Sequence, residues 1–185
     1  MFWDKGIELI DRNELEKFQL KMLKKTLKQA AKSPYYSKIL TPKVMAGIKN
    51  LKDIQNLPLI GKKELRENFP YGFLAEPLDN IVRLHSSSGT TGNPTVVLHT
   101  QSDIDYWTDI TARSIYMAGL RKSDVFQNIM GYGLFTGGIG FHYAAEKVGA
   151  MVIPSAAGNS KRQIWFMEKF RTTAAHILPS YALRL

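Results

Sequence analysis

The chain has no cysteine among its 185 residues. That excludes disulfides, thiolate zinc sites and cysteine nucleophiles, and it is compatible with a reducing compartment. There is no low-complexity tract. The first ten residues, MFWDKGIELI, carry acids at Asp4 and Glu8 and lack the apolar core of a secretory signal, so no signal peptide is expected. Long hydrophobic runs are also missing. The longest uncharged stretch, Val125 to Ala145, has the length of a bilayer span. It is interrupted by five glycines and by Gln127, Asn128, Thr136 and His142, and is therefore read as buried strand and loop. No His, Asp and Glu residues have metal-ligand spacing. The four histidines stand in no Ser/His/Asp pattern, and each taken alone is more often structural.

Acids are the minority charge. Sixteen Asp and Glu face 25 Lys and Arg, a formal net charge of +9. The excess is spread, +5 before residue 81 and +4 after it. Such a balance draws phosphates and acidic substrates. No basic-aromatic motif accompanies it, so nucleic acid is not the expected partner.

Residues 13–32, NELEKFQLKMLKKTLKQAAK, have the spacing of an amphipathic helix. Leu15, Phe18, Met22, Leu23, Leu27, Ala30 and Ala31 share one face and six lysines the other. Asn13 and Glu16 are spaced as a capping box, and Ser33-Pro34 ends the helix. A solvated helix docked by its apolar stripe is the plain reading, with a membrane-surface helix as the minor one. Residues 42–60 read as irregular with a short helix near Val44–Ile48. A second short helix follows Gly61, with Lys62 and Lys63 in its first turn, where the helix dipole disfavours cations. After Gly72 the pattern changes. Ile81–His85 and Thr95–His99 read as strands, paired as a hairpin. A helix is expected over about 101–117, with Ser102 as N-cap and Gly119 at its end. Strands at 125–130, 150–154 and 174–178 then alternate with helices at about 138–148 and 160–171. This is a βαβαβ order, implying right-handed crossovers and a parallel, buried sheet. The expected class is α/β: a helical region over 1–80, and a hairpin plus α/β core over 81–185. The chain stops four residues after Tyr181, as a helix begins. A three-strand parallel sheet with an open edge is an unusual stopping point, so the chain is expected to be a fragment of something longer.

The hairpin loop reads SSSGTTGNPT, residues 86–95. Small residues let backbone N–H groups converge on an anion, the hydroxyls add donors, and Gly89 and Gly92 permit positive φ. The loop matches neither GxxxxGK[ST] nor GxGxxG. On physics alone a phosphate cradle and a polar hairpin turn are equally good readings.

SSSGTTGNPT resembles the phosphate-loop signature [ST]SGTTGxPK of the adenylate-forming ligases. Within them the chain most resembles the phenylacetate–coenzyme A ligases. The stretches that carry the likeness are LPLIGKKELRENFPYG (57–72), HSSSGTTGNPTVV (85–97), YGLFTGGIGFHYAAEKVGA (132–150) and PSYAL (179–183). The resemblance implies the first part of an adenylate-forming ligase large domain. It implies activation of phenylacetate, or a related aryl acid, by ATP to an acyl-adenylate, then transfer to coenzyme A, in a cytoplasmic enzyme of aromatic acid catabolism. It implies that Ser86, Ser87, Ser88, Gly89, Thr90, Thr91 and Gly92 hold the phosphates, with Lys62 reaching one of them. An aryl ring needs a flat apolar slot. Met130, Tyr132, Phe135, Gly137 and Gly138 are the candidates to line it, against the plain reading that these aromatics fill core. Glu146 is expected to be salt-bridged.

Two positions depart from the superfamily pattern. Thr95 replaces the lysine after the loop proline, as is usual in the phenylacetate branch, and Asn93 stands where many relatives have lysine. Both bear on ATP affinity and neither removes the backbone cradle. The motif order puts the Mg²⁺-binding glutamate, the ribose-binding aspartate and the adenylating lysine beyond residue 185. No catalytic or metal-ligating residue is therefore assigned within the chain, which by itself is not expected to run the full reaction. The expected partners are an aryl acid, ATP and coenzyme A, without nucleic acid or membrane, and a homodimer is left open. The competing reading is a non-catalytic nucleotide- or acyl-binding module.

Overall fold

The computed structural model describes residues 2–87 and 93–185. The chain divides into two compact units. One is Gly6–Thr100, and the other joins Gln101–Leu185 to the first residues up to Lys5.

The first unit opens with α1 (Lys5–Glu8) and α2 (Arg12–Ala30). The N-cap of α2 is Asp11, whose carboxylate accepts from the Asn13 N–H at 2.8 Å. The Asn13/Glu16 box is not formed, because Glu16 instead takes Arg12 as an i,i+4 ion pair at 2.8 Å. The buried stripe runs along Leu20, Leu23, Leu27, Ala30 and Ala31, against Leu40, Val44, Met45, Ile48 and Leu57. Phe18 and Met22 stay exposed. Ser33 is fully buried and its hydroxyl donates to the Ala30 carbonyl at 2.8 Å, helping to close the helix. Two short helices follow, α3 (Pro42–Ala46) and α4 (Lys62–Glu67). The lysines at the start of α4 are offset locally. Glu64 folds back to accept the Gly61 N–H at 2.7 Å, so the chain supplies its own anion where the dipole calls for one. The unit ends in the antiparallel hairpin β1 (Ile81–Ser86) and β2 (Val96–Thr100), in which Leu84 faces Leu98 and His85 faces Val97.

The second unit is the alternating part. Helix α5 (Gln101–Met117) starts directly after β2, so Ser102 lies in its first turn and not at an N-cap. Gly119, at φ +110°, reverses the chain after it. Then come β3 (Val125–Asn128), α6 (Thr136–Val148), β4 (Met151–Ile153), α7 (Ser160–Phe170), β5 (Ala174–His176) and α8 (Pro179–Ala182). The three strands are parallel in the order β4-β3-β5. β3, buried along most of its length, is thus the central strand. The expected fold class holds: N-terminal helices, a hairpin, and a βαβαβ unit with a parallel sheet.

The core of this unit is Ala112, Ile115, Leu120, Phe126, Ala144, Ala145 and Ala150. Its alanines and glycines let elements approach closely. A methyl group on Gly140 would lie 2.3 Å from Cζ2 of Trp107 on α5. One on Gly138 would lie 2.2 Å from the Gly131 carbonyl oxygen, past the end of β3. Trp3 closes the unit from the N-terminus. Its indole N–H donates to Asp109 at 3.2 Å and its ring packs against Tyr116.

Gly140→Ala is expected to destabilise the fold by about 1–3 kcal/mol, since an indole ring held at a helix contact cannot yield by an ångström. Gly137→Ala meets only the flexible tip of Met130 at 3.9 Å and is expected to stay within about 1 kcal/mol of the parent. Urea unfolding midpoints of the two variants check this.

Candidate functional site

Parallel strands present their ligands beyond their carboxyl ends. In the second unit this edge is organised by one side chain. Asn128, the last residue of β3, is fully buried. Its amide nitrogen donates to the Gly138 carbonyl at 2.6 Å and to the Tyr132 hydroxyl at 2.8 Å. Its amide oxygen lies 3.1 Å from Nδ1 of His176, the last residue of β5. Its backbone carbonyl accepts the Ser155 hydroxyl at 3.2 Å and the Ala156 N–H at 3.1 Å, from the segment after β4. One asparagine therefore ties together the turn after β3, the segment after β4, the end of β5 and the first turn of α6.

Two further polar layers flank it. Tyr132 continues to His142 Nδ1 at 3.1 Å, and His142 Nε2 reaches Glu146 at 3.0 Å. Burial raises the Tyr132 phenol above its ordinary value, opposed by the Asn128 hydrogen bond and aided by the Glu146 charge. The phenol is protonated across the neutral range. On the other side Gln127, also fully buried, donates to the Gln163 side chain at 2.7 Å and accepts from Thr172 at 2.8 Å. Gln163 in turn holds the carbonyls of Ala156 and Gly158 at 2.9 Å each. These interior amides pin the segment after β4, where Ala156 has φ 57°.

Of the five residues proposed from sequence to line a slot, four are gathered here. The Met130 side chain reaches towards Gly137, Gly138 packs on the Met130–Gly131 backbone, and Tyr132 shares Asn128 with Gly138. Phe135 stands at the N-cap of α6 and is 60% exposed. Glu146 lies 3.0 Å from His142 Nε2, a hydrogen bond that becomes the expected ion pair only with a protonated imidazole. Asn128, His142 and His176 were not singled out from sequence as site residues. Asn128 had a signal, since an amide inside an apolar strand must find buried partners. His176 had none before the register placed it beside Asn128.

In the first unit, Ser86 ends β1 and Ser87 closes the neck of the loop. The Ser87 hydroxyl accepts the Thr95 N–H, and the Ser87 N–H donates to the Thr95 carbonyl, both at 2.9 Å. Ser88, Gly89, Thr90, Thr91 and Gly92 lie outside the described residues. Lys62 is the exposed first residue of α4. A cavity of about 420 Å³ lies elsewhere in this unit, against α2 and α3, lined by Lys24, Leu27, Lys28, Met45, Ala46, Ile48 and Lys49. None of the residues chosen from sequence belongs to it. Among the described residues no three His, Asp or Glu gather as a metal site, and no helix is long and apolar enough to cross a membrane.

Burial also pushes the His176 imidazole below its ordinary 6.5. Its neutral form is favoured in the folded state, so the unfolded chain binds the extra proton first. The stabilisation is complete above pH 6.5 and is lost as pH falls from there towards the lower folded-state value. His176→Gln is expected to flatten this part of the stability profile between about pH 7 and 5, read as a smaller drop in melting temperature than the parent shows.

No family model matches the chain. Individual relatives do. It is 41% identical over 180 residues, 96% of its length, to a phenylacetate–coenzyme A ligase of Aromatoleum evansii. It is 42% identical over 185 residues, 97% of its length, to that of Escherichia coli (strain K12). The chain spans 41% and 42% of those two proteins. Among solved structures, an open conformation of 2-hydroxyisobutyryl-CoA ligase in complex with 2-HIB-AMP and CoA superposes with a TM-score of 0.88 at 24% identity, over 99% of this chain and 45% of that one. The same enzyme in its thioesterification state gives 0.85 at 26% identity, over 95% and 39%. The chain is homologous to the phenylacetate–coenzyme A ligases over nearly all of its length, and shares its fold with part of 2-hydroxyisobutyryl-CoA ligase.

Proposed function

We propose that the chain belongs to an enzyme that activates an aryl acid, phenylacetate first among them, as its adenylate and passes the acyl group to coenzyme A. The observation that carries this reading is the identity of about two fifths to phenylacetate–coenzyme A ligases across nearly the whole chain. In this chemistry a carboxylate oxygen attacks the α-phosphorus of ATP and the bond to the β-phosphate breaks, releasing pyrophosphate. The coenzyme A thiol then attacks the acyl carbon and AMP leaves, the thiol proton passing to solvent or a base.

Each unit has a part suited to one substrate. Ser86–Gly92 would hold the leaving phosphates, with hydroxyls and backbone N–H groups aimed where charge builds up. The neck formed by Ser87 and Thr95 would fix the loop's two ends. Lys62 would add a cation towards the phosphates. Met130, Tyr132, Phe135, Gly137 and Gly138 would line the acid slot at the carboxyl edge of the sheet, where a fold of this kind receives ligands. Mg²⁺ would neutralise the phosphates it accompanies. The described residues gather no acid cluster to hold the ion, so no residue of this chain is assigned to it. We place the enzyme in the cytoplasm, which suits a cysteine-free chain.

Acid-dependent ATP–pyrophosphate exchange by the intact protein tests the reading. Phenylacetate is expected to stimulate exchange. Thr90→Val and Thr91→Val are expected to lower it by roughly 100- to 1,000-fold, the range for loss of a donor to developing charge. Exchange stimulated by another acid would keep the mechanism and reassign the substrate. Nucleotide binding by the intact, folded protein without exchange for any acid in the panel would favour a non-catalytic binding module.

A further inference from the structure

With a neutral His142, the hydrogen bonds around Tyr132 have one direction that gives every group a complementary partner. The Gly138 carbonyl can only accept, so the Asn128 amide must aim its nitrogen at it, 2.6 Å away. The second hydrogen on that nitrogen goes to the Tyr132 oxygen at 2.8 Å. The opposite face of the amide is then an acceptor, and His176 Nδ1 must donate to it. Tyr132, having accepted from Asn128, has its own proton left to donate, and His142 Nδ1 lies 3.1 Å away to receive it. His142 is thereby held with its proton on Nε2, facing Glu146 at 3.0 Å. Five side chains form a chain of donors running from His176 to Glu146. The Gly138 carbonyl, met by Asn128 beside this chain, fixes the orientation of the Asn128 amide and with it the bonds to His176 and Tyr132.

The consequence lies at Tyr132. Its only donor is spent on His142 and an acceptor lone pair is taken by Asn128. What the residue has left to offer a ligand is the face and edge of an aromatic ring and an acceptor lone pair, without a donor. We propose that Asn128 and His142 are specificity-determining positioning residues of the acid slot, which engage the Tyr132 hydroxyl proton and so leave that wall without a hydrogen-bond donor. The inference rests on the reading in which Tyr132 lines that slot. A wall without a donor disfavours the acid's carboxylate and any ring substituent that needs one, because a buried acceptor left without a partner weakens binding. The ring of the acid is then the part that meets Tyr132, and plain rings are preferred to oxygen-substituted ones.

A mutant cycle separates this from a merely structural role. The readout is kcat/KM for phenylacetate and for its 2-, 3- and 4-methoxy derivatives, by exchange with the intact protein. His142→Phe keeps an aromatic ring but removes the acceptor, freeing the Tyr132 proton. At least one methoxy acid is expected to gain on phenylacetate by roughly three- to tenfold, the value of one neutral hydrogen bond. Tyr132→Phe is expected to change kcat/KM for all four acids alike and leave their ratios within about twofold. The double variant is expected to return to the parental ratios. A shift in the ratios that persists in the double variant, or none in His142→Phe, would overturn the proposal. Absence of exchange with every acid in a folded parent would instead remove the functional reading, and this inference with it. If His142→Phe does not fold, ¹⁵N NMR of the parent's histidine rings decides. An unprotonated Nδ1 on His142 is expected, and a proton there would reverse the Tyr132–His142 hydrogen bond and overturn the idea.

Discussion

The close approach of α6 to the end of β3 is the constraint on which the second unit depends. Gly138 allows it, since any side chain there would collide with the Gly131 carbonyl. Asn128 holds it, through a 2.6 Å hydrogen bond to the Gly138 carbonyl itself. An amide buried at the end of a central strand is costly unless every polar atom is matched. Here each is matched by a different neighbour: the start of α6, the turn after β3, the segment after β4 and the end of β5. The cost of burying the group is thereby turned into a requirement that four segments be placed together, at the edge where a parallel sheet offers a binding site.

The same constraint explains why the segment from Tyr132 to Ala150 has such an unusual composition. A glycine-rich helix start is poor by propensity alone. Gly138 and Gly140 are nevertheless fixed by two different neighbours, a carbonyl on one side and the Trp107 ring on the other. Ala144 and Ala145 continue the small face at zero exposure. Stability comes from the closeness of the contact, which lets dispersion and a buried amide hydrogen bond offset the weak local preference. Gly149 then ends the helix at φ +93°, and β4 begins two residues later.

Most of the fold was legible because its signals are local. Alternating or continuous apolar runs marked all five strands, and the glycines at 61, 119 and 149 stand at helix ends. What could not be read depended on partners distant in sequence. The buried stripe of α2 takes in Leu20 and leaves Phe18 and Met22 exposed, because the docked face is set by where Leu40 and Ile48 arrive. Asp11 displaced Asn13 as the cap, since Glu16 had a better use beside Arg12. Ser102 is no cap because β2 runs into α5 without a break. The candidate slot was legible as a glycine and aromatic cluster. Its supporting residues were not. Asn128 was visible only as a polar interruption in an uncharged run. His176 lies 48 residues away and is joined to it by strand register alone.

The first unit follows a different logic, in which local charge is settled locally. Glu64 answers the lysines at the start of α4 without any outside anion. The N–H groups of Glu64 itself and of Gly61 hold its carboxyl below the ordinary range, so it remains ionised through mild acid. An anion near Lys62 is thus not required by the helix. If Lys62 meets a phosphate, the attraction must come from its own exposed ammonium and from the loop, since Glu64 already occupies the positive end of that helix. The neck of the loop is likewise self-sufficient, with Ser87 and Thr95 exchanging backbone and hydroxyl bonds.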